Sequence, residues 1–228
     1  MLRVIIFDFN GVIADDETPH VHCFCQALDE FGLSLSKEDY YGRYLGMDER
    51  TCTALLLSAR DGHSDERVMR QVQERKAELF RLHTAAHQPA LFPGVVEFVK
   101  AAKRQARLAI ASGGRREQID RALDQTPIQH DFELTVSAED CSTGKPDPAI
   151  YRMTLTRLNG LASRRSFLRP TECLVIEDSK AGIRAARAAG MFVLGLATTY
   201  PADHLHEADL VLPSLAGADP EDLLTRTW

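Results

Sequence analysis

The chain has 228 residues, 44% apolar and 26% charged, the composition of a soluble globular protein with a full-sized core. Its formal net charge is −6, with acids and bases interleaved, which argues against a nucleic-acid partner because such a footprint is basic and clustered. The longest uncharged stretch, residues 188–202, is too short for a membrane span and is broken by Gly190, Gly195 and Pro201.

The first apolar run, RVIIFD (3–8), reads as a buried strand ending on Asp8, and it lacks the long apolar core of a secretory leader. From about Asp15 to Gln88 only helical periodicity is visible: Val21, Phe24, Leu28 and Phe31 share one face, then Val68, Val72, Leu79 and Leu82. GLSLS (32–36) and RDGHSDE (60–66) read as turns within this stretch, and QPALFPG (88–94) leads out of it. Beyond it, helical segments at 94–105, 115–125, 147–160 and 179–190 alternate with the apolar runs RLAIAS (107–112), CLVIED (173–178), FVLGLA (192–197) and DLVLP (209–213). Gly160 and Gly190 read as helix stops. Continuous apolar strands alternating with helices predict a doubly wound, Rossmann-like α/β sheet, with residues 1–14 and 89–228 as core and 15–88 as an inserted helical unit. The five cysteines at 23, 25, 52, 141 and 173 show no CxxC spacing, so reduced thiols and a cytoplasmic location are expected. The pairs Arg115-Arg116 and Arg164-Arg165 read as solvated faces.

Ligands of open α/β sheets bind outside the carboxyl ends of the strands. There the sequence places Asp8, then Ser112-Gly113-Gly114, then Lys145 within STGKPDP, then Glu177-Asp178. Alone, each reads as a turn or a helix cap; together they suggest phosphoryl transfer. A serine hydroxyl, close-approaching glycine amides and a lysine suit phosphate oxygens. Carboxylates crowded beside a phosphate need a cation, and Mg²⁺ with oxygen ligands is the natural one. Asp8 can then attack phosphorus to form an aspartyl phosphate.

FDFNGVIADDE, FPGVVEFV, IASGG, GKPDP and VIEDSKAGIRAARAAGM, in this order, resemble the haloacid dehalogenase-like superfamily, most closely its phosphatases and β-phosphoglucomutase-like members with a helical cap after the first motif. The resemblance implies Asp8 as nucleophile, Ser112 and Lys145 as phosphate binders, and metal contacts from Asp8, the Asn10 carbonyl, Glu177 and Asp178. It also implies a second aspartate where this chain has Asn10, a residue that protonates the leaving oxygen and activates water.

An amide keeps the main-chain contact and loses the proton transfer, typically worth about 10²–10⁴-fold. A weakened or modified phosphatase of a small phosphorylated metabolite is therefore expected, fastest on acyl or aryl phosphates. Deamidation of Asn10 before Gly11, or an engineered Asn10, would account for the amide in other ways. His20 is the nearest histidine that can reach a leaving group, although hinge or surface placement is the plainer expectation, and DDE (15–17) reads as a solvated hinge. Gly46 and Arg50, in YLGMDER (44–50), are the cap candidates for substrate contact beside Gly113, with a surface ion pair as the equal alternative for Arg50. Other readings are a phosphomutase, a phosphonate hydrolase using Lys37 or Lys76 as an imine-forming lysine, and a non-catalytic phospho-ligand sensor. A monomer or weak homodimer is expected.

Overall fold

Most of the apolar runs become strands buried on both faces, and the last, Leu210–Leu212, is a partly buried edge strand. The structure, a computed structural model, describes residues 2–44, 47, 49–86, 89–161 and 167–228. Strands β1 (Val4–Phe7), β4 (Arg107–Ala111), β5 (Leu134–Val136), β6 (Cys173–Glu177), β7 (Phe192–Leu196) and β8 (Leu210–Leu212) form a parallel sheet in the order β5-β4-β1-β6-β7-β8. Successive side chains point to opposite faces. Ile5, Phe7, Leu108, Ile110, Leu174 and Ile176 fill one core layer, and Val4, Ile6, Ala109, Ala111, Cys173 and Val175 fill the other. Hence the runs show no polar alternation.

Helices α5 (Val95–Ala102), α6 (Arg116–Leu123), α7 (Ala149–Leu161), α8 (Lys180–Ala188) and α9 (Pro220–Thr225) accompany the sheet. Helix α8 begins behind Ser179, whose Oγ accepts from the Gly182 N–H, and is closed by Gly190 at φ +79°. Gly160 does not stop its helix: it lies inside α7. Helix α5 ends three residues earlier than its pattern suggests, in turns from Lys103 to Ala106. Strand β5, an edge strand of three residues, has no apolar run long enough to announce it.

Between β1 and α5 lies the helical unit: α1 (Glu17–Glu30), α2 (Lys37–Asp39), a π-helical turn (Tyr40–Tyr44), α3 (Glu49–Asp61) and α4 (Glu66–Ala86). It has its own apolar cluster, which includes Val21, Phe24, Leu28, Leu57 and Val72. Leu82, expected on the buried face, is 54% exposed; the buried stripe of α4 runs through Val72, Lys76, Phe80 and Thr84 instead. A two-stranded antiparallel ribbon, β2 (Ala14–Asp15) with β3 (Ala90–Leu91), joins the unit to the sheet, and the Tyr200 hydroxyl donates to the Tyr41 carbonyl at 2.6 Å across the junction. No helix among the described residues is long and apolar enough to cross a membrane.

Because the helical unit packs on its own cluster, Leu28→Ala is expected to cost about 2–5 kcal/mol there. Amide hydrogen exchange should quicken in α1–α4 well before it quickens in the sheet; equal acceleration in both would show one shared core.

Candidate active site

Strand ends deliver the site. Asp8 follows β1 directly, with its N–H still bonded to the Ile176 carbonyl of β6 at 2.9 Å. Ser112 follows β4, and Glu177 and Asp178 end β6. Lys145 arrives from the loop between β5 and α7. Its ammonium donates to Asp8 Oδ1 at 2.6 Å and to Glu177 Oε1 at 2.5 Å. Asp8, Glu177 and Asp178, all buried, each offer an oxygen within 4.8 Å of the others. They border a cavity of about 70 Å³ whose wall also includes Asn10, Ser112, Gly113 and His20.

Two glycines permit this convergence. After Asp8 the chain doubles back, and the Phe9 carbonyl accepts from Ile13 and Ala14. Gly11, at φ +78°, lies so close to Asp178 that a Cβ would sit 2.0 Å from Oδ2. The start of α8 is pressed as closely onto Glu177, where a Cβ on Gly182 would meet Oε1 at 1.7 Å. Glu177 Oε2 accepts from the Asp178 and Ser179 amides and from the Ser179 hydroxyl. Its Oε1 accepts from Lys145 and from the Tyr151 hydroxyl, so both oxygens are engaged.

Charge is unevenly shared. Burial works against ionisation of Glu177, but Lys145 beside it, with the Ser179 and Tyr151 bonds, holds its carboxyl below the usual range. Burial pushes Asp8 up to about 7, with Lys145 opposing and Glu177 reinforcing the shift. Asp178 stands well above the usual carboxylate range, through burial first and then through Glu177 and Asp8. Lys145, which burial alone would bring down, is kept above the ordinary lysine range by Asp8 and Glu177. Three carboxylates face one ammonium. A hard divalent cation fits that oxygen-only, under-neutralised donor set. Asp8 and Asp178 are the two whose ionisation it would favour, and the Asn10 carbonyl takes part in none of the hydrogen bonds of the Phe9–Ala14 turn.

At position 10 the amide is tightly oriented. Asn10 Nδ2 donates to Asp16 Oδ1 at 2.7 Å and lies 3.1 Å from His20 Nε2; its Oδ1 faces the Ser112 hydroxyl at 3.5 Å. The DDE segment is not a solvated hinge. Only Asp15 is exposed; Asp16 is 3% exposed, and Glu17, partly buried on the cavity wall, accepts from the Tyr40 hydroxyl at 2.8 Å. Burial raises the Glu17 carboxyl. His20 likewise faces the site rather than solvent.

Arg50 pairs with Glu66 at 2.6 Å and is exposed, the bland alternative of its two readings, though it also borders a second pocket of about 290 Å³ with Arg115, Gly113 and Lys145. Gly46 lies outside the described residues. Lys37 is exposed and does not line the cavity. Lys76, the other lysine named for an imine, is buried near the site, where it pairs with Glu49 and approaches His20; Glu49, Tyr151 and Thr199 were not singled out by the sequence as site residues. The Thr199 hydroxyl donates to Asp178 Oδ2. A buried lysine in the polar helix QVQERKAELF leaves no pattern that separates it from exposed neighbours.

The sequence profile of the haloacid dehalogenase-like hydrolases matches residues 5–196. Over 226 residues the chain is 33% identical to the protein CbbY of Rhodobacter capsulatus, covering 95% of both. It is 31% identical to a phosphorylated carbohydrates phosphatase of Thermotoga maritima, covering 83% of this chain and 82% of that protein. Among solved structures, an aspartate-to-asparagine mutant of CbbY from Rhodobacter sphaeroides, in complex with xylulose-(1,5)-bisphosphate, superposes with a TM-score of 0.79 at 25% identity, covering 95% of this chain and 96% of that one. The fold, the order of the motifs and this match together establish that the chain belongs to the haloacid dehalogenase-like hydrolases.

Proposed function

We propose that the protein is a Mg²⁺-dependent phosphohydrolase of a small phosphorylated metabolite, working through an aspartyl phosphate on Asp8. The observation that carries this reading is the placement of Asp8: it ends the central strand, touches Lys145 and shares a cavity with Ser112 and Asp178. The residues at 15–88 act as a cap over that cavity. Phosphorylated carbohydrates are the favoured substrate class, because two of the similar proteins act on or bind them and the second pocket places Arg50 and Arg115 beside Lys145.

Asp8 attacks phosphorus in line with the leaving oxygen. Lys145, Ser112 and the amides after Ser112 hold the phosphoryl oxygens; the Ser112 hydroxyl is preset by accepting from the Gly114 N–H at 3.0 Å. Asp8, Asp178 and the Asn10 carbonyl would hold Mg²⁺, which when bound would supply charge neutralisation for the nucleophile and the phosphoryl group. Glu177 fixes Lys145 rather than reaching the phosphate. Asn10 transfers no proton, so the acid/base step departs from the pattern with two aspartates.

The test is hydrolysis of p-nitrophenyl phosphate with and without Mg²⁺. Asp8→Ala should fall to background, and Lys145→Met should lose about 10²–10³-fold in kcat. Turnover that survives Asp8→Ala would contradict the reading.

A second outcome concerns stability. A carboxyl raised in the folded state ionises first in the unfolded chain, so each such group destabilises the fold as pH rises from its ordinary value to its raised one. For Asp8 that window runs from 3.8 to about 7, and Asp178 acts in the same sense; Glu177, held low, acts oppositely and only below its ordinary range. In EDTA the Tm should therefore fall between pH 4.5 and 7, and Mg²⁺ should remove most of that fall. An equal slope with and without Mg²⁺ would contradict the proposed ligands.

A further inference from the structure

Between α4 of the helical unit and α6 of the core lies a cleft of about 140 Å³ that shares no lining residue with the cavity at Asp8. Ala77 and Phe80 of α4 and Ala122 of α6 give it apolar walls, and its volume is about that of a cavity that takes a benzene-sized body. Five charged residues line it, and three of them are paired: Glu78 with Arg75 at 2.7 Å, and Glu117 with Arg121 at 2.9 Å. The other two are Arg81 of α4 and Arg115, which directly precedes α6; neither guanidinium has a carboxylate partner among the described residues. Glu49, the carboxylate that Arg115 acts on from further off, is held by Lys76. Gln118 adds a further donor: its Oε1 accepts from the Arg115 N–H at 3.3 Å, while its Nε2 is buried with no partner among the described residues. Apolar walls, two unpaired guanidiniums and an unmatched amide lack the same thing, an anionic acceptor on an apolar body.

We infer that this cleft binds a small organic carboxylate, with its apolar body between α4 and α6 and its carboxylate between Arg81 and Arg115. A guanidinium is a planar fork that meets a carboxylate through two parallel hydrogen bonds, so two of them select that group well. Inorganic phosphate would suit the charges but has no apolar body for the walls. One arginine belongs to the helical unit and the other to the core, so the bound carboxylate ties the two together. Arg115 also borders the pocket beside Lys145, and the cleft and that pocket therefore draw on one guanidinium. Occupancy of the cleft thus acts on the substrate side through Arg115 and on the helical unit through Arg81. Binding itself does not depend on the phosphohydrolase reading, because neither arginine lines the cavity at Asp8.

The experiment titrates the protein calorimetrically with sodium benzoate, and with benzylamine, a similar ring carrying the opposite charge. One benzoate should bind per chain and benzylamine should not bind. Arg81→Ala and Arg115→Ala should each weaken benzoate about tenfold or more, and Ala77→Trp, which fills the cleft, should abolish its binding. Benzoate should also slow amide hydrogen exchange in α4 and α6 and leave β7 unchanged. Arg81→Ala and Ala77→Trp should hydrolyse p-nitrophenyl phosphate as the parent does. If Ala77→Trp does not fold, the two arginine variants and the exchange pattern decide the matter. No benzoate binding, equal binding of benzylamine, or binding that survives the arginine substitutions overturns the site. Binding lost in Lys145→Met but kept in Arg81→Ala would put benzoate on the phosphate groups and overturns it too. A parent that binds benzoate as expected yet hydrolyses no phosphate ester overturns the phosphohydrolase reading and leaves the cleft standing.

Discussion

The site is organised around Lys145, a buried ammonium held between Asp8 and Glu177 at the carboxyl edge of the sheet. Burying ions is costly, and the arrangement is supported by further contacts: the Asp178 and Ser179 amides and the Ser179 and Tyr151 hydroxyls on Glu177, and the ring of Tyr151 5.3 Å from the ammonium. That network explains the glycines as well. Gly182 lets α8 close on Glu177, and Gly11 lets the first turn close on Asp178. One cation among three carboxylates leaves a deficit of positive charge, which suits the divalent metal proposed for this pocket.

The helical unit contributes a second, separate arrangement. Its helices pack on their own cluster, so their polar faces are free to meet the sheet edge, where His20, Glu17 and Glu49 line the cavity. Position 10 is where the two halves touch through side chains. The core supplies an amide there and the helical unit supplies the Asp16 carboxylate and the His20 imidazole.

Much of this was legible in the sequence. Strands buried on both faces leave continuous apolar runs, and strand ends carry the chemistry, so Asp8, Ser112, Lys145 and the Glu177-Asp178 pair were readable from their flanks. What was not readable depends on which way a polar side chain turns. Asp16 reads as hinge charge because acids at a helix start are ordinary; only its tertiary contacts with Asn10 and His20 show that it turns inward. The burial of Lys76 is hidden for the same reason, since it lies in a helix dense in Glu and Arg. Strand β5 is short enough that pairing with β4, not its own composition, decides its state. Gly160 failed as a stop because a glycine inside a packed helix costs only about 1 kcal/mol, which the burial of Leu155 and Leu158 on α7 offsets.

The most direct measurement is acid-quenched mass spectrometry of the protein mixed with Mg²⁺ and p-nitrophenyl phosphate, with the modified residue mapped by fragmentation. A single phosphoryl group on Asp8, appearing and decaying as product forms, is the expected result. Steady hydrolysis with phosphorylation at another residue, or with none at any quench time even when attack by water is slowed, would contradict a nucleophilic Asp8 and with it the function proposed for this site.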